Sequence, residues 1–257
     1  MIGKSGVLSL KHQFTWSLLK RTLSSTRRSV LEGYDKTQVG LMKEECILTD
    51  RNDNVAGKAS KKTCHLMENI NKGMLHRAFS VFLFNTQGNL LLQQRSDAKI
   101  TFPGHFTNTC CSHPLYTPLE LEDCEASGVK RAAQRKLQHE LGISPNSLST
   151  EDLKFVTRVH YQAENAPDPG VWGEHEIDYI LIAQKDVTVT ANPNEVKSHM
   201  YVDRQQLLQM MDKSMTGDIL ITPWFRLILD KFLMSWWDNL SDIEQHKDNL
   251  IHRLCDK

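Results

Sequence analysis

Short apolar runs predict several strands in this chain. Residues 79–85 and 89–95 are two such runs, and residues 86–88 between them, Thr-Gln-Gly, are typical of a β-hairpin turn. Residues 155–162 divide into two alternating sets of side chains, which predicts another strand. Residues 179–183 are again apolar and predict a further strand.

Helical spacing marks three other segments. Apolar residues recur at intervals of three and four from Val129 to Leu141, and Gly142 is a favourable helix stop. Residues 205–211 and 225–237 also have a helical pattern. Because helices and strands are mixed along a chain without internal repeats or low-complexity tracts, the pattern predicts a single-domain α/β sandwich.

Length and composition exclude several classes of protein. The 257 residues, 40% of them hydrophobic, can bury one substantial core, and 31 basic against 31 acidic residues do not indicate nucleic-acid binding. No apolar run approaches about eighteen residues, so no membrane span is expected. The six cysteines, at positions 46, 64, 110, 111, 124 and 255, lack zinc-finger spacing and favour free thiols in a reducing compartment.

The first 31 residues differ from the rest of the chain in charge. They contain six lysines and arginines and several serines, and no acidic residue precedes Glu32. This composition is typical of a mitochondrial presequence, and the alternative is a disordered extension or an alternative start site. We therefore expect an N-terminal extension over residues 1–35 and the folded domain over residues 36–257.

Two segments place likely metal ligands beside groups that can carry a proton. Side chains repeat every second residue in a strand, so Cys111 points the same way as His113, and Glu174 the same way as Glu176. Two upstream histidines could complete a site of three histidines and two glutamates for a divalent metal, namely His65, His76, His113, Glu174 and Glu176. Taken alone, a Cys-Cys pair is more often buried packing, and Glu-x-Glu is more often a solvated face.

A basic pair suited to phosphate lies upstream of these segments. Arg95 and Lys99 flank Ser-Asp-Ala in residues 93–104. Guanidinium and ammonium groups bind diphosphate oxygens well, so the pair favours an anionic substrate.

From about residue 35 to residue 240 the chain resembles the type 1 isopentenyl-diphosphate delta-isomerases, metal-dependent enzymes with a Nudix-like fold. The segments that carry the resemblance are 75–80, 102–104, 111–114, 139–142, 172–176 and 222–224. The resemblance implies a Nudix-like α/β/α sandwich with a mixed sheet. It also implies interconversion of isopentenyl and dimethylallyl diphosphate, which supplies the electrophilic five-carbon unit of isoprenoid synthesis.

The resemblance also implies roles for individual residues. Proton transfer is expected from Cys111 and Glu176 with help from Tyr161, and the ring of Trp224 would stabilise a carbocation-like species. A Trp beside Pro at a helix start can equally be a core anchor. The expected diphosphate-binding residues are Lys61, Arg95, Lys99 and Ser112. The expected metal ligands are His65, His76, His113, Glu174 and Glu176, with Glu140 holding a further ion.

Cofactors and partners follow from the same resemblance. One Mg²⁺ is expected at the histidine–glutamate site, with Mn²⁺ or Zn²⁺ as alternatives, and a second Mg²⁺ is expected with the diphosphate at Glu140. No flavin is expected. The expected partner is isopentenyl diphosphate, and the expected state is a monomer in the cytoplasm or peroxisome, although the C-terminal Cys-Asp-Lys is not a peroxisomal Ser-Lys-Leu signal.

The sequence of one helix distinguishes the predicted isomerase from a Nudix hydrolase. In the hydrolase signature three glutamates gather metals, whereas here Lys136 and His139 occupy two of those positions and Glu140 remains. The hydrolase is one rival, and a non-catalytic module that retained the fold is another. Lys136 lies four residues before Glu140, so an exposed ion pair worth roughly 0.3–0.5 kcal/mol is an alternative explanation for both residues.

Overall fold

The computed structural model describes residues 29–165 and 170–254. Two units are distinguished along the chain, Met1–Glu32 and Gly33–Lys257, and the second carries all the elements below. The predicted targeting segment lies almost entirely outside the described residues, so its role stays a prediction. Among the described helices, none is long and apolar enough to span a membrane.

A mixed sheet forms the centre of the second unit. Its strands within the described residues are β1 (Glu45–Thr49), β2 (Val55–Ser60), β3 (His76–Phe84), β4 (Leu90–Arg95), β5 (Phe106–Thr107), β6 (Cys110–Ser112), β7 (Lys154–Glu164), β8 (Gly173–Gln184), β9 (Val196–Val202) and β10 (Ile251–Arg253). The main order is β10-β7-β8-β3-β1-β2, while β4 pairs with β3, β5 and β9, and β6 pairs with β3. The β3–β8 and β7–β10 pairs are parallel and the others antiparallel.

Helices cover both faces of this sheet. They are α1 (Lys36–Leu41), α2 (Lys61–His65), α3 (Met67–Ile70), α4 (Ser127–Leu141), α5 (Arg204–Met215), α6 (Pro223–Ile228) and α7 (Met234–Asp238). Two 3₁₀ segments span Cys124–Ala126 and Leu240–His246, and a π-helical segment, Leu229–Leu233, joins α6 to α7. The helix predicted over residues 225–237 is therefore present but contains a wider turn.

Alternate side chains of β3 face opposite sides of the sheet and belong to two separate hydrophobic cores. Phe82 and Phe84 pack with α5, α6 and α7 on one face, whereas Val81 and Leu83 pack with α4 on the other. All nine residues of β3 are buried, as expected of a central strand with both faces covered. This arrangement confirms the predicted α/β/α sandwich.

The predicted β3–β4 hairpin is present, but its strands separate after one pair, Phe84 with Leu90. Thr109 explains the separation. Its hydroxyl accepts from the backbone N–H of Leu83 at 2.9 Å and donates to the carbonyl of Leu91 at 2.6 Å. A single side chain thus replaces the ladder hydrogen bonds between the two strands and lets β6 pair with β3.

The strict alternation predicted for β7 is wrong at its start. A bulge shifts the register between Phe155 and Thr157. Consequently Val156 joins Val159 in the core beneath α6, while Phe155 faces the other core, with its ring centre 5.5 Å from that of Tyr179. From Val159 onward the side chains of β7 alternate between the two faces of the sheet, as predicted.

Gly142 ends α4 as the sequence predicted. It has a left-handed φ of 63°, and its N–H donates to the carbonyl of Gln138 at 3.1 Å. A Cβ atom at this position would lie 2.4 Å from the carbonyl oxygen of Thr190, so the close approach also requires glycine.

We expect Gly142→Ala to lower the free energy of unfolding by about 2–4 kcal/mol, because it adds a steric clash to roughly 1–2 kcal/mol of left-handed strain. Gly217→Ala is the matched control. Gly217 also has a positive φ, 82°, but a Cβ there would meet nothing within 4 Å, so only the strain should be measured. Urea unfolding of both variants tests this, and equal losses would show that the clash is relieved.

Candidate active site

Five buried side chains converge at one edge of the sheet. The ligand atoms of His65, His76, His113, Glu174 and Glu176 all lie within 4.8 Å of one another. The three imidazole rings form a nearly symmetric group, with every pair of ring centres 4.9 Å apart.

Four separate segments of the chain bring these groups together. His65 ends α2, His76 begins β3, and His113 follows β6. The two glutamates lie two residues apart on β8, where the parallel β3–β8 register places His76 opposite Glu176. Glu174 and Glu176 therefore point to the same side of β8, as strand alternation predicted.

The hydrogen bonding of the cluster fits a cation. Within the described residues, His65 Nε2 and Glu174 Oε2 lie 2.7 Å apart, His76 Nε2 lies 3.2 Å from Glu176 Oε1, and these buried atoms find no partner outside the cluster. Buried polar and charged atoms that pack only against one another are poorly satisfied, and a divalent ion among them would satisfy them together. His65 Nδ1 lies 2.7 Å from the carbonyl of Lys61, which fixes the ring with Nε2 facing the cluster.

Two proton-carrying groups, Cys111 and Tyr161, lie beside this cluster, and a third, Glu176, belongs to it. The hydroxyl of Tyr161 donates to Glu176 Oε2, and His113 Nε2 is 2.7 Å from Glu176 Oε1. Burial would raise the pKa of Glu176, but the hydrogen bond and charge of His76, the charge of His65 and the Tyr161 hydrogen bond lower it to about 2. Burial and the nearby carboxylates raise the pKa of the Cys111 thiol and the Tyr161 phenol well above their usual values.

The two adjacent cysteines have opposite environments. Cys111 packs against the core beneath α6, whereas Cys110 is fully buried against α4, with its Sγ atom 3.6 Å from Glu140. This is the orientation that strand alternation predicts, and it separates Cys110 from the cluster.

Trp224 is the second residue of α6 and is held by Asn108, to which the sequence analysis assigned no role. Its indole N–H donates to Asn108 Oδ1 at 3.2 Å, and the amide of Asn108 donates to the carbonyls of Val81 and Cys110 at 3.1 and 3.0 Å. Asn108 therefore links the tryptophan ring to the strand that carries Cys111. The Thr-Asn pair before the cysteines was visible in the sequence, but an interior amide gives no signal of its partner.

One small cavity connects the cluster to the predicted anion-binding residues. Its volume is about 20 Å³, and its lining includes Lys61, Arg95, Lys99, Ser112, Cys111, Tyr161, Glu176 and Trp224. The structure thus brings together all the predicted catalytic and substrate-binding residues. A space of this size holds about one water molecule.

Glu140 lies apart from the five clustered ligands. It forms an ion pair with Lys136 at 3.2 Å, and Gln93 Nε2 donates to it at 3.1 Å. The side chains of Glu140 and Lys136 are only 5% and 3% exposed, so the exposed ion pair considered from the sequence is wrong. α4 packs against the sheet with this face inward, and the role of Glu140 as a ligand stays a prediction.

Comparisons with known proteins agree with this fold and site. Residues 74–225 match the NUDIX domain family. The chain is 56% identical over 221 residues to isopentenyl-diphosphate Delta-isomerase 1 of Mesocricetus auratus, covering 86% of this chain and 96% of that protein. It is 48% identical over 228 residues to isopentenyl-diphosphate delta-isomerase 2 of Homo sapiens, covering 87% and 98%.

Solved structures agree at the level of the fold. A crystal structure of a Deinococcus radiodurans protein superposes with a TM-score of 0.52 at 17% identity, covering 74% of this chain and 100% of that chain. This likeness concerns the fold alone.

We expect His113→Ala to lower the content of tightly held divalent metal, because a five-ligand site that loses an imidazole binds more weakly. Elemental analysis of purified protein measures the effect. His199→Ala, on the exposed part of β9, is the control and should keep its metal. Equal metal content in His113→Ala and the unaltered protein would remove His113 from the ligand set.

Proposed function

The chain belongs to the isopentenyl-diphosphate delta-isomerase family within the Nudix fold and interconverts isopentenyl and dimethylallyl diphosphate; we propose that the site described above performs this reaction. The observation that carries the proposal is the convergence of Cys111, Glu176 and Trp224 on one small cavity beside a metal-suited cluster. These residues and the cavity that they line meet three requirements of the reaction.

The first requirement is two groups that exchange protons with the substrate. Isomerisation adds a proton to one carbon of the alkene and removes a proton from another. We assign these steps to Cys111 and Glu176, and the reverse reaction uses them in the opposite order. Tyr161 holds Glu176 through its hydroxyl and so fixes the carboxylate against the cavity.

The second requirement is a dry and closed environment. An alkene is a very weak base, so the acid must be close and oriented, and water must not capture the cation that forms. The cavity has room for about one water molecule, and its lining residues Cys111, Tyr161 and Trp224 come from three different elements. Isopentenyl diphosphate is larger than this space, so a bound substrate would fill the cavity and leave little room for water beside the reacting carbons.

The third requirement is stabilisation of positive charge without a nucleophile. The face of an indole ring contributes about 2 kcal/mol towards a desolvated cation. Trp224 is 2% exposed and lines the cavity, and its N–H is engaged by Asn108. The ring is therefore fixed before substrate binds.

The diphosphate would occupy the basic end of the cavity. Arg95 donates through Nε and Nη2 to the carbonyls of Phe102 and Thr101 at 3.1 and 2.7 Å, which orients its guanidinium group. Lys61 and Lys99 add two ammonium groups, and Ser112 adds a hydroxyl. These groups hold the substrate's charged end while its five-carbon chain lies towards Cys111 and Glu176.

We propose Mg²⁺ as the ion of the five-residue cluster, with Mn²⁺ or Zn²⁺ as alternatives, and a second Mg²⁺ with the diphosphate at Glu140. The oxygen and imidazole ligands suit a hard or borderline divalent ion. Bound there, the ion supplies positive charge that adjusts the acidity of Glu176. We also propose a monomer in the cytoplasm or peroxisome, with a mitochondrial presequence in residues 1–31 as the alternative location.

The direct test is incubation with isopentenyl diphosphate and Mg²⁺, followed by product analysis. We expect dimethylallyl diphosphate without release of phosphate. Phosphate or diphosphate release in place of the isomer would instead indicate a Nudix hydrolase, and an absence of any reaction would indicate a binding module.

Cys111→Ala and Glu176→Gln should each lower the isomerisation rate by at least about a hundredfold, the usual scale for a lost general acid or base. Cys110→Ala is the matched control, because the neighbouring thiol faces the other core and should change the rate little. Turnover of purified variants measures this. A near-normal rate in either of the first two variants would remove that residue from the proton path.

Trp224→Phe should keep partial activity and Trp224→Leu very little, because the ring quadrupole weakens in Phe and is absent in Leu. Turnover, substrate affinity and melting temperature are measured together. A fall in turnover with constant affinity and melting temperature indicates an effect on the transition state. Losses of turnover in proportion to losses of stability would make Trp224 a core anchor.

A further inference from the structure

The ammonium group of Lys99 has a buried counter-ion that lies outside the catalytic cavity. Lys99 Nζ is 2.5 Å from Glu195 Oε2, and their side chains are 8% and 1% exposed. Lys99 lines the cavity, whereas Glu195 does not and stands one residue before β9. The carboxylate of Glu195 therefore contacts the ammonium group of Lys99 without itself lining the cavity.

Glu195 is itself fixed from two directions. Gln38 Nε2 on α1 donates to Glu195 Oε1 at 3.0 Å and to the side chain of Asn194 at 2.8 Å. The backbone carbonyl of Glu195 accepts from the N–H of Ser96 at 2.9 Å, which joins it to the turn that carries Lys99. With these contacts the carboxylate has little freedom to turn away.

We propose that Glu195 is a positioning residue for substrate binding, which aims the Lys99 ammonium group into the diphosphate end of the cavity and keeps it charged there. The inference rests on the proposed function, because it takes the diphosphate as the group that Lys99 meets. A lysine buried this deeply loses its rotational freedom and its hydration, and a fixed carboxylate compensates both losses.

The charges around Lys99 explain why a counter-ion is needed. Burial lowers the pKa of Lys99, Glu195 raises it, and Arg95 and Lys61 lower it further, giving a value of about 8. Glu140 on α4 also acts to raise it. Two cations thus oppose the charge of Lys99 inside the cavity, and Glu195 is the larger of the two compensating carboxylates.

The sign of the pH dependence follows. Lys99 is charged below its pKa and loses its charge, and with it a contact to the diphosphate, as the pH rises through about 8. Removing the charge of Glu195 lowers that pKa, because only the carboxylate's attraction is lost while burial, Arg95 and Lys61 remain. The loss of substrate binding should then begin at a lower pH.

The test is the pH profile of kcat/KM, which reports the free enzyme. In the unaltered protein we expect a decline above about pH 8. In E195Q, which preserves the shape of the side chain, the decline should begin at least about one pH unit lower, with KM at pH 8 raised about fivefold or more. kcat at saturating substrate should change less than about threefold, because Lys99 holds the ground state and the transition state alike.

A matched control lies on the same two segments. Asp97 pairs with Lys197 of β9 at 2.8 Å, but their side chains are 69% and 49% exposed, so D97N breaks a surface pair between the same turn and the same strand. D97N should keep the profile of the unaltered protein. In a K99R background the guanidinium stays charged at all accessible pH values, so adding E195Q should no longer shift the profile.

The outcomes separate the two proposals. A profile of E195Q that coincides with that of the unaltered protein would overturn the role of Glu195. The same holds if D97N shifts equally, if E195Q still shifts the K99R profile, or if kcat falls together with melting temperature. Failure of the unaltered protein to isomerise isopentenyl diphosphate would instead overturn the proposed function.

Discussion

The parallel pairing of β3 and β8 is the constraint on which the rest of the site depends. It runs from His76 opposite Glu176 to Phe84 opposite Gln184, and it fixes which side chains face each core. A slip of one residue would turn Glu174 and Glu176 to the other face and remove both carboxylates from the metal cluster. Burial of both faces makes such a slip costly, so the position of the ligands is set by core packing at a distance from them.

Much of the site could be predicted because it depends on residues that are close together in the sequence. Alternation within one strand relates Cys111 to His113, and it relates Glu174 to Glu176, without knowledge of the fold. The helix over residues 127–141 and its glycine stop were predictable for the same reason. The resemblance to known isomerases added the residues that alternation cannot connect, such as Trp224 and Lys61.

The other features of the fold and of the site could not be predicted because they depend on contacts between segments that are distant in the sequence. The bulge at Val156 and the separation of β3 from β4 by Thr109 each arise from a single residue whose effect appears only after the strands pair. The Asn108–Trp224 hydrogen bond spans 116 positions, and the Lys99–Glu195 ion pair spans 96. The burial of Lys136 with Glu140 could not be predicted from the sequence either, because an i, i+4 pair has the same spacing on an exposed and on a buried helix face.

That buried pair has a consequence for how the two catalytic classes of this fold could have diverged. Replacing Lys136 alone by glutamate, as the hydrolase signature requires, would place two carboxylates side by side in an interior that already contains Glu195. Breaking a buried ion pair in this way costs about 3–5 kcal/mol, a large part of the stability of an ordinary domain. Lys136→Glu on its own would therefore lower the stability of the fold unless a bound cation compensated for the added charge. The choice between lysine and glutamate at this position is thus coupled to whether a cation, such as the Mg²⁺ proposed at Glu140, is bound beside it.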